Sequence, residues 1–368
     1  MYIEKLSLIN FKNYEEASIQ LHARVNCFVG NNGVGKTNLL DAVYYLCMCK
    51  SYFSTSDQYT IRQGQDFMVL QGNFCHNQQS DELYCGLKET KAKQFRKNKK
   101  EYQRLTDHIG NYPVVMVSPA DSALITEGSE ERRRYMNAVI AQYNREYLEQ
   151  TIRYNKILAQ RNRLLKEMKG YGGSDELLEV YDMQLVPLGR SIAQVRMRFV
   201  QELSLVFKRY YELISGGLET VEIAYQSQLL QDDFEELLKS NLLRDRSAQF
   251  STVGIHKDDL ELTMNGNSIR KVGSQGQQKT FLVALKLAQF EFLKQIKGIK
   301  PILLLDDIFD KFDVERVSHI LSLVTDESFG QILITHTNET RMRDLLKAYH
   351  GSYALFKVED GKPTQVNV

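Results

Sequence analysis

Gly30-Asn31-Asn32-Gly33-Val34-Gly35-Lys36-Thr37 matches the pattern GxxxxGK[ST], and the residues on either side decide how it folds. Before it runs Val25-Asn26-Cys27-Phe28-Val29, which reads as a buried strand; after it, residues 38–48 have the composition of an apolar helix. Strand, glycine loop and helix are the context in which this motif cradles phosphate. Glycines let the backbone amides curl round an anion, and the positive end of the following helix adds to the attraction. Lys36 is placed to reach terminal phosphates, and the Thr37 hydroxyl to hold magnesium. The expected ligand is ATP or GTP.

The chain has 368 residues, 25% charged and 43% hydrophobic, which is the composition of an ordinary soluble protein with two domains or one large discontinuous one. No apolar run approaches the roughly 20 residues of a membrane span, and the alternating start around Glu4 and Lys5 is not the pattern of a signal peptide. A cytoplasmic location with no membrane partner is expected. Five cysteines without CxxC spacing indicate neither a disulfide framework nor a zinc site, and Cys47 and Cys49 read as packing residues. With a net charge of +1, any nucleic acid would have to be met by a local basic patch.

Residues 1–29 read as three strands, and residues 67–74 and 82–87 as further pieces of an antiparallel layer. The most basic window, residues 91–100, reads as a solvated hairpin turning at Asn98-Lys99, with phosphate contact as the alternative. Residues 114–117 form a short buried strand that Ser118-Pro119-Ala120-Asp121 ends. Apolar residues three and four apart then predict a long helix from Glu130 to Met168, a break at Gly170-Tyr171-Gly172-Gly173, a cap at Ser174 and a second long helix to Tyr210, kinked at Pro187. Arg132-Arg133-Arg134 suits a charged first helical turn as well as a phosphate contact. A third amphipathic helix is expected over 229–243, and strands over 221–225, 259–264 and 269–272.

Two later motifs carry chemistry. Ser274-Gln275-Gly276-Gln277 precedes an amphipathic helix, so Ser274 and the Gly276 amide sit at a helix N-terminus, again an anion site. Ile302-Leu303-Leu304-Leu305 ends in Asp306-Asp307, as a buried parallel strand would if its tip met a metal. Asp306 is placed to hold magnesium, and Asp307 to orient the attacking water. His336 ends one more apolar strand, where it is placed to sense a terminal phosphate.

Phosphate loop, Ser-x-Gly-Gln element, Leu-Leu-Leu-Asp-Asp strand and end-of-strand His336, in this order, resemble the ABC-type ATPase heads of the SMC and RecF proteins, the RecF branch most. The resemblance spans the whole chain through Asn10-Phe11-Lys12-Asn13-Tyr14, Ser118-Pro119-Ala120-Asp121, Arg132-Arg133-Arg134 and His256-Lys257-Asp258-Asp259. It implies an α/β ATPase head of two sheet layers built from residues 1–118 and 251–368, with a mainly helical lobe at 119–250. It also implies an ATP-dependent homodimer: Gly30 to Thr37 with Lys36 and Thr37 bind ATP and Mg2+ in one subunit, and Ser274 to Gln277 of the other close on the terminal phosphate. Asp307, Lys36 and His336 are then catalytic, and Asp310-Lys311-Phe312-Asp313 lies near the dimer seam. The implied partners are double-stranded DNA and its junctions with single strands, RecR and RecO, and indirectly RecA, in DNA repair and the SOS response.

The chain departs from the family's pattern at Gly273, where many relatives carry leucine, at Lys12, often arginine, and at Phe53, where many RecF proteins have an arginine. A helical hairpin this short favours a compact clamp over a chromosome tether. Two other classes share the phosphate loop. A transporter ATPase subunit would lack the hairpin, and a small-molecule kinase would have no use for Ser274-Gln275-Gly276-Gln277.

Overall fold

The computed structural model describes residues 1–77, 79–89, 91–168, 175–309, 314–347, 349 and 351–366. The chain divides into two compact units, a head of Met1–Asp121 with Lys279–Val368 and an inserted unit of Ser122–Gln278. The head opens with β1 (Tyr2–Phe11), β2 (Tyr14–Gln20), β3 (Val25–Val29), α1 (Lys36–Met48), β4 (Phe67–His76), β5 (Gln79–Lys88), β6 (Lys91–Lys97), β7 (Lys100–Glu101) and β8 (Val114–Val117). The inserted unit holds α2 (Ala123–Thr126), α3 (Ser129–Ile140), α4 (Arg145–Glu167), α5 (Asp175–Ser215), β9 (Val221–Gln226), α6 (Phe234–Ser240), α7 (Leu242–Ala248), β10 (Asp259–Met264), β11 (Asn267–Ser268) and α8 (Ile269–Val272). The long helix α9 (Gln275–Lys297) leads back into the head, which ends with β12 (Ile302–Leu305), α10 (Val314–Thr325), β13 (Ile332–His336), α11 (Glu339–Lys347), β14 (Tyr353–Glu359) and β15 (Lys362–Val366).

In the head, β14, β3, β13, β12 and β8 lie parallel in that order, with β15 antiparallel at one edge. Strands β3, β8, β12 and β13 are buried at every residue, which is why they read as near-continuous apolar runs, interrupted by Asn26 and ended by Thr335-His336, rather than as alternating ones. A second sheet, β2-β1-β4-β5-β6-β7, is antiparallel throughout, and its strand β4 alternates buried with half-buried residues. Helix α1 is apolar on most of its circumference because both sheets cover it. Leu39, Val43 and Leu46 share one core with Leu6, Leu70 and Leu83 of the antiparallel sheet and with Phe28, Leu304 and Leu333 of the parallel one. The expected head of two sheet layers is therefore present, clasping the helix that follows the phosphate loop. Cys47 and Cys49 are buried in that core.

The basic window forms the hairpin β6–β7, turning at Asn98 and Lys99, both with positive φ as a tight two-residue turn requires. Lys93 pairs with Asp57 and donates to the Cys49 carbonyl, and Lys97 pairs with Asp81, so both cations are held by the head itself.

The inserted unit corrects several expectations. The single helix expected from Glu130 to Met168 is two, because Asn144 leaves the helical region and its side chain caps α4 by accepting the Tyr147 amide at 2.9 Å. Pro187 lies inside α5, which is helical on both sides of it. The break at Gly170–Gly173 and the cap at Ser174 fall outside the described residues. The helix expected over 229–243 is divided into α6 and α7, with Asp233 capping the first through the amides of Glu235 and Glu236. The strand expected over 269–272 is the helical turn α8, the strand ending at Ser268. The expected return to the head at residue 251 comes later, at Lys279, because β10 pairs with β9 in the register Leu260↔Tyr225 and Leu262↔Ile223 and keeps residues 251–278 in the inserted unit. Among the described residues, no helix is long and apolar enough to cross a membrane.

Candidate nucleotide-binding site

Strand β3 delivers the chain to a loop whose shape only glycine permits. Gly35 has φ 111°, and a Cβ there would stand 2.6 Å from the Asn13 side chain; one at Gly30 would stand 2.4 Å from the Val358 carbonyl oxygen. The turn between β1 and β2 braces the loop from outside. Asn13 Nδ2 donates to the Val34 carbonyl at 3.1 Å, the Tyr14 hydroxyl donates to the Gly35 carbonyl at 3.0 Å, and Asn38 Nδ2 donates to Asn13 Oδ1 at 2.7 Å. Asn13 and Tyr14 thus have a role that their place in a family motif alone did not reveal.

No side chain caps the start of α1, so its first amides face the loop interior, a seat for an anion. Lys36, only 4% exposed, curls back and donates from Nζ to the Gly30 and Asn31 carbonyls at 2.9 and 3.0 Å. Its ammonium is therefore poised at the loop and held by groups that phosphate oxygens can replace.

Opposite Lys36, three hydroxyl and carboxyl groups converge. Thr37 Oγ1 and Thr335 Oγ1 both donate to Asp306 Oδ1, at 2.7 and 2.8 Å, and the Asp307 amide donates to Thr335 Oγ1 at 2.8 Å. Burial raises the Asp306 carboxyl above its usual range, while the two threonine hydroxyls work in the other direction. Asp307 has φ 43°, a left-handed conformation uncommon for any residue but glycine, and the hydroxyl of Thr335 holds its amide there. Thr335 was not singled out in the sequence; its one signal was its place beside His336. His336 is buried at the end of β13, its Nδ1 accepts the Thr337 amide at 3.0 Å, and its carbonyl accepts the Gly30 amide at 3.3 Å. The fold thus brings Lys36, Thr37, Asp306, Asp307 and His336 to one end of the parallel sheet, at the carboxyl ends of its strands, where open α/β sheets bind their ligands. The pair of oxygens on Thr37 and Asp306 fits magnesium, a hard cation that takes few protein ligands and keeps several waters.

Ser274, Gln275, Gly276 and Gln277 belong to the inserted unit. There Ser274 Oγ accepts the Gln277 amide at 3.3 Å and Gln277 Oε1 accepts the Ser274 amide at 2.8 Å, a reciprocal cap on α9. Gln277 Nε2 also donates to Glu219 at 2.8 Å. A Cβ at Gly273 would lie 2.8 Å from the Ile269 carbonyl oxygen, so this turn is tight for any larger side chain. The four residues Asp310 to Asp313 lie outside the described residues.

The remaining motifs resolve into internal contacts. Lys12 pairs with the buried Asp41 at 2.6 Å, its ammonium 5.3 Å from the centre of the Phe53 ring. Arg132 forks onto Asp259 at 2.6 and 3.0 Å, Arg133 donates to the Asp258 carbonyl at 2.7 Å, and Arg134 pairs with Glu130 and Glu131. The triplet ties α3 to β10 and to its own first turn.

The RecF/RecN/SMC N terminal domain family matches the chain over residues 2–362. The DNA replication and repair protein RecF of Parabacteroides distasonis is 46% identical over 362 residues, 98% of each chain, and that of Bacteroides thetaiotaomicron is 48% identical over the same share. Among solved structures, the recombination mediator protein RecF with ATP, of the RecFOR pathway, is 29% identical with a TM-score of 0.90, covering 100% of this chain and 98% of that one. This chain belongs to the RecF proteins of the RecF/RecN/SMC N terminal domain family.

Proposed function

We propose that this protein acts in DNA replication and repair as an ATP-gated clamp on duplex DNA near single-strand gaps, working with RecR and RecO to assist RecA. The observation that carries the reading is the convergence of Lys36, Thr37 and Asp306 beneath the glycine loop, in a chain that aligns end to end with RecF proteins. ATP binds to the loop, and Mg2+ is held by Thr37 and Asp306. The bound ion supplies charge neutralisation at the phosphates. Lys36 exchanges two loop carbonyls for phosphate oxygens, Asp307 orients water, and His336 stands beside the start of the loop. Ser274 and the Gly276 amide of a second copy complete the site, so ATP joins two heads and slow, DNA-stimulated hydrolysis releases them.

Sedimentation of the wild type and of Asp307→Asn, with no nucleotide, ADP, or ATP and magnesium, each with and without a gapped duplex, tests this. The expected result is a dimer only with ATP, persistent in Asp307→Asn and carrying the DNA. A monomer under every condition would overturn the clamp.

A further inference from the structure

Gln277 of the signature donates to Glu219, a residue outside every motif of the sequence. Glu219 lies in the loop after α5, which turns through Gly216 and Gly217, both with positive φ. The residue that follows it is clipped to the end of β10. Asn265 Oδ1 accepts the Thr220 amide at 2.9 Å and the Thr220 hydroxyl at 3.1 Å, and the Thr220 carbonyl accepts the Asn265 amide at 2.8 Å. Glu219 is thereby set beside the start of α9. Its Oε1 accepts Gln277 Nε2 at 2.8 Å, and the hydroxyl of the buried Tyr211 donates to its Oε2 at 3.4 Å. All of these residues belong to the inserted unit.

An ionised carboxylate can only accept hydrogen bonds, so Gln277 must turn its nitrogen towards Glu219 and its oxygen towards the Ser274 amide, which donates to it at 2.8 Å. With Gln277 so fixed, its own amide donates to Ser274 Oγ at 3.3 Å. Ser274 Oγ is then an acceptor inside the cap, and among the described residues its hydrogen has no acceptor of its own. On an exposed side chain at a helix start, such a hydrogen suits an anion. We propose that Glu219 is a positioning residue for the signature: by holding Gln277 it fixes the cap that leaves the Ser274 hydroxyl hydrogen for a phosphate oxygen of the partner's nucleotide. This rests on the reading of a site completed by the signature of a second copy. Negative charge near phosphate works against binding, so the contribution of Glu219 comes from its hydrogen bond and not from its charge.

Glu219→Gln removes the charge and keeps an oxygen for Gln277, whereas Glu219→Ala removes both. Sedimentation over a range of protein concentrations with ATP and magnesium gives the dimer constant, and calorimetric titration with ATP under monomeric conditions gives the affinity of the phosphate loop. Glu219→Ala is expected to weaken dimerisation at least about tenfold, the scale of one hydrogen bond to a charged group, and to leave the loop's ATP affinity unchanged. Glu219→Gln should dimerise at least as tightly as the wild type. Added to Gln277→Ala, which already lacks the bond, Glu219→Ala should have little further effect. Wild-type dimerisation in Glu219→Ala, with Ser274→Arg impaired, would overturn the positioning role and leave the clamp standing. Equal loss in Glu219→Gln and Glu219→Ala, or full additivity with Gln277→Ala, would also overturn it. Unimpaired dimerisation in Ser274→Arg would overturn the clamp reading and this role together.

Discussion

The phosphate-loop end of the head and the core of the inserted unit both bury charged side chains, but the partners there differ in kind. In the inserted unit, Arg161 is fully buried and donates to Asp182, Asp245 and the Ser251 hydroxyl, while Arg196 donates to Asp258, the Tyr147 hydroxyl and the Ile255 carbonyl. Each guanidinium meets carboxylates that are part of the same core, joining α4 and α5 to the segment between α7 and β10. At the phosphate loop of the head, Lys36 is held only by backbone carbonyls in the bonds described, and Asp306 by two hydroxyls. Those are partners a nucleotide and a metal can replace. Charge matched by charge holds a fold together; charge matched by neutral dipoles is ready for a ligand.

The largest effect expected from this contrast is on stability. Arg196→Met leaves Asp258 buried without its cation and should cost about 3–5 kcal/mol, the penalty of breaking a buried pair from one side. Urea titration followed by circular dichroism should show it as an early transition of the inserted unit, with ATP still bound by the head. Equal loss of both would mean that the two units do not unfold separately and would break the comparison.

Acid sharpens it next, because each unit holds an imidazole whose pKa its surroundings lower. His108 in the head contacts the rings of Phe95, Tyr102 and Tyr112, and burial lowers its pKa to about 4; His256 in the inserted unit, against the Ser251 carbonyl and Tyr154, is likewise lowered to about 4. A histidine whose folded pKa is depressed binds its proton more readily in the unfolded chain. Its contribution is therefore constant above pH 6.5 and falls as the pH drops from there towards 4. Each should cost roughly 3 kcal/mol across that window, from the size of the shift. His108→Phe should flatten the acid limb for the head alone, and an unchanged pH profile would show that the ring is protonated in the fold.

The smallest effect on stability, and the most selective one on turnover, belongs to Thr335→Val. Losing the hydroxyl removes one hydrogen bond to a carboxylate and the one that accepts the Asp307 amide, a loss of about 1.5–3 kcal/mol in positioning the carboxylate pair. ATP turnover should fall at least tenfold, from about 1.4 kcal/mol of lost transition-state stabilisation, while calorimetric ATP affinity without magnesium stays the same. A fall in affinity with unchanged turnover would place Thr335 in nucleotide binding instead.

The head was legible in the sequence because its decisive residues are local. Gly30 to Thr37 lies between a strand and a helix, and strands buried on both faces write unbroken apolar runs such as Leu303-Leu304-Leu305. What escaped was set by pairings across the chain. Thr335 acts through residues 28 and 29 positions away, and the Asp121–Lys286 pair spans 165 residues. In the inserted unit, apolar spacing of three and four continues through residues 130–168 whether or not the backbone stays helical, so the Asn144 cap was hidden under the pattern. The later boundary at Lys279 depends on the β9–β10 register, which no single stretch displays. The Ser274–Gln277 cap, by contrast, was readable: Ser-x-x-Gln at a helix start is a local signal.

Whether one head's phosphate loop and another's signature form a single site can be read from a mixture of two inactive variants. Lys36→Ala cannot engage phosphate in its own loop, and Ser274→Arg cannot close on a partner's. Each alone should hydrolyse almost no ATP. Mixed in equal amounts, they can form dimers in which an intact loop of the second variant meets an intact Ser274 of the first. Turnover should return on mixing and rise with total protein concentration. Turnover in the mixture no greater than the sum of the two separate variants would contradict it.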